Sequence, residues 1–167
     1  KRKEGGVGIF ITSSGTLDSP NSAKLRTWLV NEGGADVVGA FRMHNQTFGG
    51  TGATSDIIVI RKRVNGRKSA NAIDVSGTLP IRTVKYNTGE TKRGSSEVIV
   101  KDLALDVNKH FMEHPEDMEG EMAFAFEKGY TYRATRKALY PSPSITQEQR
   151  LSEWAQKFKD MDWDKAE

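Results

Sequence analysis

The chain has 167 residues, 36% of them hydrophobic and 28% charged, with a formal net charge of +3. Its length suits one domain with a real core, and its composition suits a soluble globular chain with some polar stretches. No apolar run is long enough to cross a bilayer, the absence of cysteine excludes a disulfide framework and a thiolate nucleophile, and so small a charge leaves nucleic-acid binding to be judged from where the basic residues sit. A reducing, cytoplasmic home fits. The opening Lys1-Arg2-Lys3-Glu4-Gly5-Gly6 has neither an initiator Met nor a signal-type apolar segment, and reads as the start of an excised piece.

In chain order, "GGVGIFIT" predicts a buried strand from Val7 to Thr12. "LDSPNSAKLRTWLVNEGG" predicts a helix, capped by Asp18 or Ser19, with Pro20 in the first turn and Gly33 or Gly34 as its stop. Leu25, Trp28 and Leu29 fall at i, i+3 and i+4 and form its expected apolar face. "ADVVGAFRM" and "SDIIVIRKR" predict two further strands. Strand, helix, strand, strand implies an α/β sheet whose first two strands are parallel and joined by a crossover, with the third returning antiparallel. Beyond Arg63, "IRTVKYN" and "EVIVKD" read as a hairpin, Leu103 to His114 as a short helix ended by Pro115, and the segment around "EKGY" as a second hairpin. The tail "ITQEQRLSEWAQKFKDMDWDKAE" has helical spacing, with Leu151, Trp154, Ala155 and Phe158 on one side.

Three short patterns invite catalytic readings. "HFMEH" (110–114) matches a zinc-peptidase pattern, but Pro115 follows at once and no third ligand is evident, so no metal is assigned. "GGTG" (49–52) precedes a strand rather than a helix and lacks the Lys-Ser/Thr of a phosphate loop. Close backbone approach is the better reading of its glycines. "SSG" (13–15) is not a nucleophile elbow, and no histidine is placed by the sequence to activate it.

The order "GGVGIFITSSGTLDSPNSAKLRTWLVNEGGADVVGAFRMHNQTFGGTGATSDIIVIRKR" resembles the C-terminal half of the catalytic domain of N6-adenine DNA methyltransferases. It is most similar to the branch holding type I restriction modification subunits and methylase-helicase fusions of mobile elements. "VNKHFMEHPEDMEGEM" is similar to a segment that follows the domain in the fusions. The resemblance implies a partial Rossmann-like methyltransferase sheet of late strands, mixed parallel and antiparallel, over residues 5–63. An irregular β-rich α+β extension (64–145) and a C-terminal helix or tail (146–167) follow. It also implies that the complete enzyme moves a methyl group from S-adenosylmethionine to adenine N6 in DNA. The family's glycine-rich cofactor motif and its Asn-Pro-Pro-Tyr-type tetrapeptide are missing, and "YPSP" (140–143) lacks the Asn. No catalytic residue is therefore assigned, and the chain alone is expected to be inactive and to bind no cofactor. The rival from another class is a non-catalytic nucleic-acid-binding or helicase-associated scaffold.

Within this resemblance Phe48 holds the place of the aromatic on which an extruded base stacks, while Asn45, Thr47 and Thr51 offer hydrogen bonds to base or phosphate. The alternative is that Phe48 packs beneath its own loop. Arg61, Lys62 and Arg63 could touch phosphate or simply be solvated, and Lys85, Lys92, Arg93, Arg133, Arg136 and Lys137 are equally ambiguous. DNA is the expected partner and no membrane is. Severing the sheet ahead of Val7 should leave an edge that self-associates or is covered by the chain's own downstream segment.

Overall fold

The computed structural model describes residues 3–49, 52–125 and 136–167, with side chains described throughout those ranges except at 82–89, 103–104, 124–125 and 136–137. Strand β1 (Val7–Ser13) leads through a one-turn helix α1 (Gly15–Asp18) and a 3-10 turn (Pro20–Ser22) into helix α2 (Ala23–Asn31). Strands β2 (Ala35–Met43) and β3 (Ser55–Lys62) complete a three-stranded sheet in the order β1-β3-β2. A long hairpin follows, β4 (Thr78–Thr91) with β5 (Val98–Asn108), then helix α3 (Lys109–Glu113) and a 3-10 turn at Pro115–Asp117. Strands β6 (Gly120–Ala125) and β7 (Arg136–Pro141) pair with each other, and helix α4 (Gln147–Asp160) closes the chain. Among the described residues no helix is long and apolar enough to cross a membrane.

The fold is mixed α/β, but its sheets differ from the expected parallel arrangement. Every paired neighbour is antiparallel: β1 with β3, β2 with β3, β4 with β5 and β6 with β7. β1 and β2 run in the same direction because both oppose β3, which lies between them and takes the hydrogen bonds each would otherwise offer the other. The crossover through α2 thus spans one strand, and among the described residues parallel pairing is limited to an isolated bridge between Arg42 and Met118.

Two apolar clusters sandwich this sheet. On one face Leu17, Val37, Ala40 and Ile58 pack with Val75, Val107, Phe111, Met118 and Leu139, so the sheet shares its core with the following hairpins. On the other, Val38, Phe41, Met43 and Val59 meet Trp154 of α4, with Leu151, Phe158 and Trp163 beside it. Val37 and Val38 enter opposite cores, as successive strand residues do, and the register of β2 shifts between Val37 and Gly39. Gly39 is where α4 comes closest. A Cβ there would run into the Phe158 and Trp154 rings. Gly39→Val is therefore predicted to cost about 1–3 kcal/mol as overpacking. Urea melts should show this loss and its partial recovery on adding Phe158→Leu; an unchanged midpoint would refute the tight contact.

Several elements depart from the sequence expectation for visible reasons. Residues 103–108 continue β5 instead of starting a helix, and alternating burial puts Leu105 and Val107 inside. Only Lys109–Glu113 is helical, started by Asn108, whose Oδ1 accepts from the His110 N–H. Asp18 does not cap α2. It is buried beneath the sheet, while Ser19 Oγ accepts from the Asn21 N–H. The apolar face of α2 is only partly used: Leu29 packs inward, but Leu25 and Trp28 are 58% and 51% exposed. Arg26 is buried instead, because its guanidinium donates to the carbonyls of Thr16, Ser19 and Ser76 and ties α2 to α1, to the residue that follows α1 and to the loop ahead of β4. Ala155 faces solvent beside buried Trp154. The turn proposed at "EKGY" lies outside the described residues.

Candidate nucleic-acid interface

The loop joining β2 to β3 carries the predicted base-binding residues, and its two ends are stitched to β7. Asn45 N donates to Leu139 O at 2.8 Å, and Leu139 N donates to Thr54 Oγ1 at 2.9 Å. Inside the loop, Thr47 N donates to His44 O and Gln46 N donates to His44 Nδ1, which turns the chain sharply after Met43. Glu119 lies beneath the turn with only 6% of its surface exposed. Its Oε2 accepts from His44 N and from Thr47 Oγ1, both at 3.4 Å, and stands 3.9 Å from His44 Nε2.

Phe48 sits beyond this anchored turn and is 41% exposed. Gly49 follows with open space at its missing Cβ, and Gly52 takes a positive φ of 59°. Among the described residues Asn45 Oδ1 is shut away from water with no hydrogen-bond partner, an acceptor left without its donor. Thr51 lies outside the described residues. Asn45, Thr47 and Phe48 are thus gathered on one loop whose base is fixed.

The basic residues of β3 are placed elsewhere. At about 3.3 Å per residue, Arg61 is roughly 20 Å along the strand from Ser55, where the loop ends. Arg61 is buried and donates to Asp164 at 2.9 Å. Arg63 forks onto the buried Asp36 carboxylate and also donates to Val30 O. The hydrogen bonds of Asp36, partly opposed by burial, hold the Arg63 pKa above its ordinary value. Lys62 is partly exposed between them. Of the further basic set, Lys92 pairs with Glu97 at 2.8 Å and Arg93 is exposed, both at the tip of the β4–β5 hairpin. Arg133 and the side chains of Lys85, Arg136 and Lys137 lie outside the description.

Beneath the loop-bearing end of the sheet is a buried ionic knot that no sequence motif announced. Arg42 is fully buried and binds two carboxylates: Nη1 and Nη2 donate to Asp18 at 2.9 Å each, and Nε and Nη2 donate to Asp56 at 2.7 and 2.8 Å. Its guanidinium carbon also lies 4.3 Å from the centre of the Phe111 ring. Burial opposes the charged form, but the charges and hydrogen bonds of Asp56 and Asp18 outweigh it and raise the Arg42 pKa. Asp18 Oδ1 further accepts from Asn108 N, and Asn108 Nδ2 donates to the carbonyls of Leu17 and Val75. The knot joins α1, β2, β3 and β5, fixing the strands from which the loop springs.

The "HFMEH" segment is differently occupied. His110 is buried with Nε2 2.8 Å from Asp117 Oδ2, while exposed His114 meets Glu116. Burial works to raise the Asp117 pKa, but hydrogen bonding to His110 and the nearby Lys157 charge hold it below the ordinary carboxylate value. The two imidazoles stack on each other at 4.8 Å. Among the described residues no group of three His, Cys, Asp or Glu is placed to hold a metal ion.

Sequence reasoning missed His44, Thr54, Glu119 and Leu139, the anchors of the loop. Glu119 reaches His44 and Thr47 across more than seventy positions, a separation no local pattern encodes. No protein-family model, curated protein or solved structure matches the chain.

Proposed function

We propose that this chain is the target-recognition part of an S-adenosylmethionine-dependent adenine-N6 DNA methyltransferase, acting in the cytoplasm and belonging to the branch that includes methylase-helicase fusions. The observation that carries the reading is the β2–β3 loop: a clamped turn presents an exposed aromatic and, one residue before it, an exposed threonine. An enzyme acting on a base must take it out of the stack, and an extruded adenine needs a ring to lie on and acceptors for its amino group. A further support is the sheet, in which a reversed β3 returns beside β1 and β2, two codirectional strands linked through a helix. The codirectional pair and the reversed strand are the part of the implied arrangement that is present; the parallel pairing it also implies is not.

In this reading the complete enzyme supplies the cofactor cradle and the catalytic tetrapeptide from another part of the protein. S-Adenosylmethionine provides the methyl group, and the residues here orient the base. Calorimetry on the 167-residue chain is accordingly predicted to detect no S-adenosylmethionine binding, and clear stoichiometric binding would place the cofactor site within this chain instead. The deciding assay is transfer of labelled methyl from S-adenosylmethionine to adenine in duplex DNA by the complete protein. DNA binding without transfer would favour the non-catalytic scaffold.

A further inference from the structure

β1 lies at the edge of its sheet and pairs with β3 in unbroken register, from Val7 opposite Arg61 to Ser13 opposite Ser55. Gly6 O accepts from Lys62 N at 2.9 Å, and Ser14 N donates to Thr54 O at 3.1 Å. Even-numbered residues thus turn their backbone polar groups toward β3. The N–H and C=O groups of Val7, Ile9, Ile11 and Ser13 point the other way, to the outer edge. At the far side of the sheet the equivalent edge of β2 is covered, since Ile73 N donates to Val37 O and Glu119 N to Arg42 O. Among the described residues no segment does this for β1, including the downstream chain expected to fold across it.

Exposed edge strands are ordinarily guarded by a charge, a proline or a bulge. Val-Gly-Ile-Phe-Ile-Thr-Ser has none of these. Ile9 is 68% and Ile11 60% exposed on one face. On the other, Phe10 borders an apolar cavity of about 190 Å³ that it shares with Leu25 and Leu29 of α2.

We propose that this edge is an interface for a second copy of the chain, β1 pairing antiparallel with its own copy about a two-fold axis at Phe10. The product is a continuous six-stranded sheet in the order β2-β3-β1-β1-β3-β2. The register follows from the backbone. Outward-facing residues must oppose outward-facing residues, which confines the axis to a residue position. Centring on Phe10 sets Val7 against Ser13 and Ile9 against Ile11, so every outward-facing residue of both strands is paired. Centring on Ile9 or on Ile11 would leave one of them beyond the end of the partner strand. In the chosen register the two Ile9–Ile11 pairs are β-branched contacts, and the two Phe10 rings meet at a non-hydrogen-bonded position where side chains approach most closely. No charged residue lies in the strand, so no like charges face across the axis. The contact is isologous and closes on itself. Exposed Leu25, which lines the same cavity as Phe10, adds apolar area beside the ladder, toward the roughly 1,200 Å² that a specific dimer buries. The inference rests on the geometry of β1 in this 167-residue chain.

Light scattering behind size-exclusion chromatography, run on the 167-residue chain over a concentration series, tests it. The expected mass is twice that of the chain, and Ile9→Lys should return it to that of the monomer with an unchanged circular dichroism spectrum. Phe10→Cys adds the only cysteine, and under mild oxidation it should yield a disulfide-linked dimer, whereas Val7→Cys, which faces Ser13, should not. A chain that stays monomeric at every concentration overturns the proposal, and would leave the edge to a strand from a different protein. A dimer indifferent to Ile9→Lys and not captured by Phe10→Cys overturns it equally, because its interface lies elsewhere.

Discussion

Arg42→Met should destabilise the fold by about 3–5 kcal/mol, because it leaves two buried carboxylates with their countercharge gone. Asp18 and Asp56 are 2% and 0% exposed and converge on the same guanidinium. Domain stabilities are about 5–15 kcal/mol, so much of the folded population is at stake. The loss does not measure the net worth of the ion pairs, since desolvation of three charges opposes their attraction. Adding Asp18→Asn and Asp56→Asn to Arg42→Met removes the stranded charges while keeping the oxygen that accepts from Asn108 N. This triple variant should regain much of the lost stability. The single variant also has a pH signature. Uncompensated buried carboxylates bind protons more readily folded than unfolded, so its deficit should shrink as pH falls through the carboxylate range and grow as pH rises. Urea melts of all three proteins at pH 5 and pH 7 decide the matter. Equal midpoints for wild type and Arg42→Met would show that the knot contributes nothing.

The strands were the most legible part of this sequence. β2 matches the expected segment, β1 and β3 agree within a residue, and the β4–β5 hairpin appears where two β-rich runs flank Gly and Lys. Each advertises itself by a short aliphatic run between turn residues. What stayed hidden is what depends on distant partners. Leu25, Trp28 and Leu29 have flawless helical spacing, yet only Leu29 packs inward, because Arg26 finds the backbone carbonyls of Thr16, Ser19 and Ser76, whose placement local pattern cannot give. Residues 103–108 read as helix until β4 is known to lie alongside, after which alternate burial of Leu105 and Val107 is the natural reading. Arg42 looked like one more polar residue ending an apolar strand. Its importance comes from Asp18 and Asp56, which the chain brings to it from different elements. In the candidate site the loop and its aromatic were readable, while Glu119 and Leu139, which hold the loop, were not. The basic run 61–63 was visible too, but its arginines are occupied by Asp164 and Asp36, a fact belonging wholly to tertiary structure.

On the proposed methyltransferase reading, Phe48→Ala in the complete enzyme should reduce methyl transfer by roughly five- to hundred-and-fifty-fold, the equivalent of losing about 1–3 kcal/mol of base stacking felt in the transition state. Its effect on folding should be small. The ring is 41% exposed on a loop whose polar anchors, Asn45 N, Thr47 Oγ1 and Thr54 Oγ1, do not involve the Phe48 side chain. Truncating a fully buried Phe such as Phe41 or Phe111, by contrast, would cost about 3–5 kcal/mol of stability. Phe48→Tyr should keep most of the activity, since stacking needs a π face rather than one particular ring. Anchor substitution gives a complementary signature. Glu119→Gln retains a side-chain oxygen for His44 N and Thr47 Oγ1 but removes the charge beside His44, so it should alter transfer less than Phe48→Ala does. Thermal melting and single-turnover methyl transfer on the same preparations separate stacking from packing. A Phe48→Ala protein with a much lower melting temperature but unchanged transfer per folded molecule would assign the ring to packing, and the target base would then have to rest on some other surface.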